Sequence, residues 1–185
     1  NDTLGVGDLT GLKPEDAITM FTVDQVTLAG ATDKGMAVSA GKLYAGGAIA
    51  FATGGNVTKT KLENVASVEA GSDAGGFIGA SGPGEAVGAS GINLLGLVKL
   101  SGLLSVAQFS SVNVTASTIA GVTAGMKVTA TGKNVDDSPY VAGGFFGQAN
   151  SSKATDVHVY ALASVTAPST NGVAGGFVGE STTGG

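Results

Sequence analysis

The sequence predicts an all-β chain, a right-handed parallel β-helix (β-solenoid) of about six coils with a short apolar helical insertion. Three observations predict it. A glycine-glycine motif recurs at a near-constant spacing. Short β-branched runs with period-two alternation lie between its copies. Glycine supplies 32 of the 185 residues while charged residues are only 12%, a composition suited to close packing.

The repeat comes first. Four segments echo one another: Tyr44-Ala45-Gly46-Gly47, Ala74-Gly75-Gly76-Phe77-Ile78-Gly79, Ala142-Gly143-Gly144-Phe145-Phe146-Gly147 and Ala174-Gly175-Gly176-Phe177-Val178-Gly179. They are spaced by 29, 68 and 32 residues, so the middle gap is near two periods. A fixed period of this size marks a solenoid, propeller or array. Shifted by 97 residues, positions 45–70 fall on 142–167 without a gap, and 9 of 26 residues are identical. Ala-Ser-Val ends 21 residues after the second glycine in both copies, at Val68 and Val165.

The strands follow. Val57-Thr58-Lys59-Thr60-Lys61-Leu62, Val112-Asn113-Val114-Thr115 and Val157-His158-Val159-Tyr160 alternate in polarity and are bounded by turn-forming residues, the pattern of half-buried strands. Two or three such strands per period suit one coil, and coils stack about 4.8 Å apart. Glycine permits a sharp turn beside a neighbouring backbone, which points the next residue inward. Phe77, Phe145 and Phe177 hold that position, with Ala48 in the first copy, so a ladder of side chains along the core is expected.

Two segments depart from the repeat. Residues 1–22 read as an N-terminal cap or the end of a preceding module, since Lys13-Pro14-Glu15-Asp16 followed by apolar residues is a helix-start pattern. Residues 23–185 are the solenoid repeats. Within them, taking Thr60, Val112 and Val157 as equivalent strand starts, about 23 residues are extra, an insertion at about 84–106. Its Ile92–Val106 run is apolar all round, as in a buried helix, and short for a membrane span of roughly 20 residues.

Composition excludes several classes. The net charge is −5, and all nine basic residues are lysine. That is a poor basis for nucleic-acid binding, which depends on cations at phosphates. Without cysteine there is no disulfide framework, thiolate metal site or cysteine nucleophile. The start Asn1-Asp2-Thr3 and the end Thr182-Thr183-Gly184-Gly185 read as cuts in a longer protein.

Candidate chemistry is sparse. His158, the single histidine, alternates with Val157 and Val159 and is expected outward as a structural residue; no second histidine completes a zinc site. Asp136-Asp137 before Ser138-Pro139 is a polar turn. Neither an EF-hand nor a calcium nonapeptide pattern occurs. A fold could gather Glu63, Glu69, Asp73 or Asp156 into a glycosidase-type carboxylate pair. Such grooves, however, also draw on basic and aromatic residues, and here arginine and tryptophan are absent. Lys59 and Lys61 read as a solvated strand face, with an anionic-glycan contact as the sharper reading. Thr129-Ala130-Thr131 suggests a threonine array of the ice-binding kind, but no aligned threonine ranks are evident in the sequence.

The Gly-Gly-Phe-Ile-Gly, Gly-Gly-Phe-Phe-Gly and Gly-Gly-Phe-Val-Gly motifs, followed by small polar residues and a Val-x-Val strand, resemble the GLUG-type repeats of large bacterial surface proteins and adhesins. The resemblance covers residues 44–185. Ala48-Ile49-Ala50 in the first copy and the insertion after Gly79 depart from it. It implies an extracellular, secreted or cell-wall-attached protein with a role in attachment or display, and it carries no catalytic residues.

The expectation is a non-enzymatic adhesin or attachment module, with no catalytic residue, cofactor or metal. Its partners would be a host or environmental glycan or protein surface and neighbouring domains of a longer chain, with no nucleic acid and no membrane span. The alternatives are a ligand-free structural stalk and a carbohydrate-processing β-helix domain.

Overall fold

A computed structural model describes residues 21–82, 111–132, 139–150 and 152–182. All regular structure among them is β-strand. Every strand pairing is parallel. The strands fall into four successive windings. Winding 1 is β1 (Thr22–Asp24), β2 (Thr27–Ala29), β3 (Met36–Ala40), β4 (Ala45–Gly46) and β5 (Ile49–Thr53). Winding 2 is β6 (Gly55–Thr58), β7 (Lys61–Ala70), β8 (Asp73–Gly75) and β9 (Ile78–Gly82). Winding 3 is β10 (Val112–Gly121), β11 (Met126–Ala130), β12 (Tyr140–Gly143) and β13 (Phe146–Asn150). Winding 4 is β14 (Ser152–Tyr160), β15 (Leu162–Thr166), β16 (Gly172–Gly175) and β17 (Val178–Thr182).

Each winding contributes to three sheets. The nine-stranded sheet holds β1–β3, β6, β7, β10, β11, β14 and β15; β4-β8-β12-β16 and β5-β9-β13-β17 form two four-stranded sheets. The order within the smaller sheets is winding order throughout. This all-β, parallel architecture is compatible with the expected β-solenoid. About six coils were expected, and four windings lie among the described residues.

Like residues stack on like. Leu28, Leu62, Ile119 and Val159 align, as do Val38, Val68, Val128 and Val165. The aromatic ladder is present. Phe77 and Phe145 stack with centroids 4.7 Å apart and planes within 4°, and Phe177 stacks on Phe145 at 5.2 Å. Phe77 and Phe145 are fully buried.

The turn before this ladder runs backbone against backbone. Gly76 N–H donates to Gly143 O, Phe77 N–H to Phe145 O, and Phe145 N–H to Phe177 O. A Cβ on Gly144 would run into Gly176 O of the next winding and stand 2.9 Å from Leu162 Cδ2. The equivalent Gly176 has open space around it. Gly144→Ala is therefore expected to cost about 1–3 kcal/mol, the usual cost of overpacking. Gly176→Ala is expected to stay within about 0.5 kcal/mol, as at open surface sites. Equal urea midpoints for the two variants would refute this account of the motif.

Two corners break the long sheet. At the first, Gln25, Lys59, Ala116 and Asp156 all adopt left-handed backbone, with φ from 47° to 55°. They follow Asp24, Thr58, Thr115 and Thr155, which align across the four windings. Strained non-glycine residues persist where the surroundings over-determine them. Here inter-winding bonds continue through the corner, from Gln25 N–H to Thr58 O and from Lys59 N–H to Thr115 O.

The second corner alternates. Windings 1 and 3 make a glycine-bounded loop, Gly30 to Gly35 and Gly121 to Gly125, each followed by methionine. Windings 2 and 4 turn through left-handed Asn64 and Ala161 instead. The structural unit is thus two windings long: the 97-residue shift superposes β4 and β5 of winding 1 on β12 and β13 of winding 3, and β6 and β7 of winding 2 on β14 and β15 of winding 4.

Three expectations need correction. The run 57–62 is not one strand, because left-handed Lys59 ends β6 and β7 begins at Lys61. Val112 aligns with Gly55 and with Ser152, while Thr60 matches Ser117, whose hydroxyl accepts the Thr60 N–H. The comparable path is therefore 36 residues from Gly76 to Val112, against 8 from Gly47 to Gly55 and 8 from Gly144 to Ser152. Finally, aligned threonines do occur, as Thr58, Thr115 and Thr155 share one outward rank. The expected helical insertion at 84–106 and residues 1–20 of the expected cap lie outside the described residues.

Candidate ligand-binding face

The left-handed corner orients two legs of the long sheet. On the first leg, Thr22, Asn56, Asn113 and Lys153 form one outward rank, and Asp24, Thr58, Thr115 and Thr155 form the next. Pleating places both ranks on the outer side, with Val23, Val57 and Val114 turned inward between them. Asn113 Nδ2 donates to Asn56 Oδ1 at 3.2 Å. The Thr58 hydroxyl donates to Asp24 Oδ1, and Gln25 Nε2 donates to Asp24 Oδ2 at 3.1 Å. These donors, Thr58 first and then Gln25, hold the Asp24 carboxyl below its ordinary pKa.

On the second leg, Thr27, Lys61, Thr118 and His158 align, flanked by Ala29 paired with Glu63 and by Ala120 paired with Tyr160, the register shifting between Ile119 and Gly121. His158 faces outward as expected, and its Nε2 lies 3.1 Å from Asp156 Oδ1. Its ring stacks on Tyr160 with centroids 5.8 Å apart. Tyr160 is 53% exposed. Winding 4 thus carries Lys153, Thr155, Asp156, His158 and Tyr160 close together along one strand. This face offers hydroxyls, amides, the ammonium groups of Lys61 and Lys153, and an aromatic platform. It provides hydrogen bonds and stacking.

The four acids named from sequence do not converge. Glu63 and Glu69 lie at separate outward positions of β7, and Asp156 sits at the winding 4 corner. Asp73 is 5% exposed. Its carboxyl pKa is pushed up to about 6, chiefly by burial and further by the negative charge of Glu180; the Ser72 hydroxyl, 3.1 Å from Oδ1, and the Val141 N–H oppose the shift. Glu180 Oε2 is itself buried with no hydrogen-bond partner. Sequence reasoning missed Glu180. The signal was the residue after the third glycine of the motif, which reads Ala80, Gln148 and Glu180 in turn.

Among the described residues, no group of three or more His, Cys, Asp or Glu side chains could hold a metal ion. No helix among them is long and apolar enough to cross a membrane. No protein-family model matches the chain, and neither a curated protein nor a solved structure shows significant similarity to it.

Proposed function

We propose that the chain is a non-enzymatic attachment module of a secreted or cell-wall-attached bacterial surface protein. In this reading it is a right-handed parallel β-helix, the hand that nearly all parallel crossovers take. Its outward ranks contact a glycan or protein surface. The observation that carries the reading is the regular outer face of the first and second legs, ending in the exposed His158–Tyr160 stack. Stacked hydroxyl and amide ranks match the repeating polar groups of a polysaccharide, and an exposed aromatic ring can cover the apolar face of a sugar. The likeness of the Gly-Gly-Phe motifs to GLUG-type repeats supports the same reading.

The test is binding of labelled protein to an array of mucins, matrix proteins and glycans, with heat-denatured protein as control. Saturable binding to one class is expected, and Tyr160→Ala should weaken it about tenfold or more, the effect of losing an aromatic anchor. The side chain is exposed, so the variant should keep its fold. Absence of binding across the array would favour a ligand-free stalk instead.

A further inference from the structure

The outermost described windings differ from the two between them. Core positions that are fully buried in windings 2 and 3 are partly open in winding 4: Ile119 becomes Val159, Val128 becomes Val165, and Phe145 becomes Phe177, which is 38% exposed. In winding 1, Leu28 shares the core position of Leu62 and Ile119 and is likewise open, at 39% exposed. Among the described residues, the six exposed large hydrophobics all lie in windings 1 and 4.

The two-winding unit determines what would fit there. Winding 4 repeats winding 2, and winding 1 repeats winding 3, down to Thr27-Leu28-Ala29-Gly30 against Thr118-Ile119-Ala120-Gly121 and Gly35-Met36 against Gly125-Met126. The junction between windings 2 and 3 is already present inside the molecule. We propose that a second copy of this chain docks head-to-tail, its winding 1 seated on winding 4 as winding 3 is seated on winding 2.

Both polarity and shape agree. Between windings, N–H groups at the Gly-Gly-Phe turn donate towards the later winding: Ala48 and Ile49 to Phe77 O, Phe77 and Ile78 to Phe145 O, Phe145 and Phe146 to Phe177 O. Winding 4 therefore presents the N–H groups of Phe177 and Val178, and winding 1 presents the carbonyl of Ala48. The docked register sets Val159 on Leu28, Val173 on Tyr44 and the Phe177 ring over the small Ala48. A bulky residue thus meets the one copy of the motif that lacks an aromatic ring. Such an interface joins different surfaces and does not close, so it propagates into rods. Exposed strand edges supply the backbone bonds.

Sedimentation velocity from low to high micromolar concentration tests the proposal. The unaltered protein should form concentration-dependent linear oligomers. Phe177→Asp blocks one end and Leu28→Glu the other, so each alone should remain monomeric, with affinity reduced by at least about tenfold. An equimolar mixture retains one intact junction and should stop at one-to-one dimers. Circular dichroism checks that each variant is folded, and Val173→Lys replaces Phe177→Asp if that variant is not. A monomeric unaltered protein, or assembly of either single variant alone, would overturn head-to-tail docking. Neither result bears on glycan binding by the lateral face.

Discussion

Replacement of Phe145 by alanine is expected to cost about 3–5 kcal/mol, the usual range for emptying a buried aromatic site. Phe145 is fully buried and sits in the middle of the ladder. It stacks on Phe77 on one side and Phe177 on the other, and Phe146 tilts against it at 5.0 Å. Aromatic pairs add about 0.5–1.5 kcal/mol beyond burial, and this substitution removes several at once. The neighbouring windings are tied by backbone bonds on both sides, so the space cannot readily collapse. Phe177→Ala is the control. That ring is partly exposed, and only one winding lies behind it, so about half the cost is expected. Urea denaturation of both variants at low protein concentration reads the difference. Equal losses would mean that the ladder is not the central support of the stack.

Asp73→Asn should stabilise the protein at neutral pH. The folded-state pKa of Asp73 is raised to about 6 from an ordinary value of 3.8. Below pH 4 the group is neutral in both folded and unfolded states and costs nothing. Between pH 4 and 6 the unfolded chain ionises first, so stability falls as pH rises. Above pH 6 the full penalty stands, about 3 kcal/mol for a shift of roughly two pKa units. The asparagine variant carries no such charge and lacks this slope. Denaturation curves at pH 4 and pH 7 should therefore nearly coincide with those of the unaltered protein at the lower value and separate at the higher. A constant difference across that range would show that Asp73 is not the titrating group. Glu180→Gln should lower the Asp73 midpoint partway, because the Glu180 charge is the secondary cause.

Legibility of the sequence tracked side-chain repetition. The Gly-Gly-Phe turn was readable because three copies keep the same residues at the same steric bottleneck. The inward aromatic ladder followed from it. The left-handed corner was not readable. Gln25, Lys59, Ala116 and Asp156 share no chemistry, since stacking of the backbone fixes their conformation. Lys59 consequently looked like one more residue of an alternating strand. The kinship of windings 1 and 3 was hidden for a different reason. Their glycine-bounded loops differ in length by one residue and the path from Ala130 to Ala142 is seven residues longer than that from Ala40 to Ala45, so the offset between them changes from 91 to 90 to 97. Thr58 and Thr155 already coincide at the 97-residue shift, and only Thr115 was hidden, displaced by the interruption between windings 2 and 3.

The candidate face was legible only in part. Outward His158 followed from alternation. Its stack with Tyr160 and its bond to Asp156 depend on the corner that bends β14, which no local pattern announces. The Asp73–Glu180 relation joins residues more than a hundred positions apart in different windings, and it required the register of both small sheets.

The uniform direction of strand pairing has a mechanical consequence. Hydrogen bonds between windings run along the stack, while the covalent chain circles around it. Tension applied along the stack loads one inter-winding row at a time and would peel windings off singly. Tension applied across it, along the strands, loads many bonds together in shear. A molecule held at its lateral face is therefore gripped in its strong direction, whereas one held by its ends is gripped in its weak one.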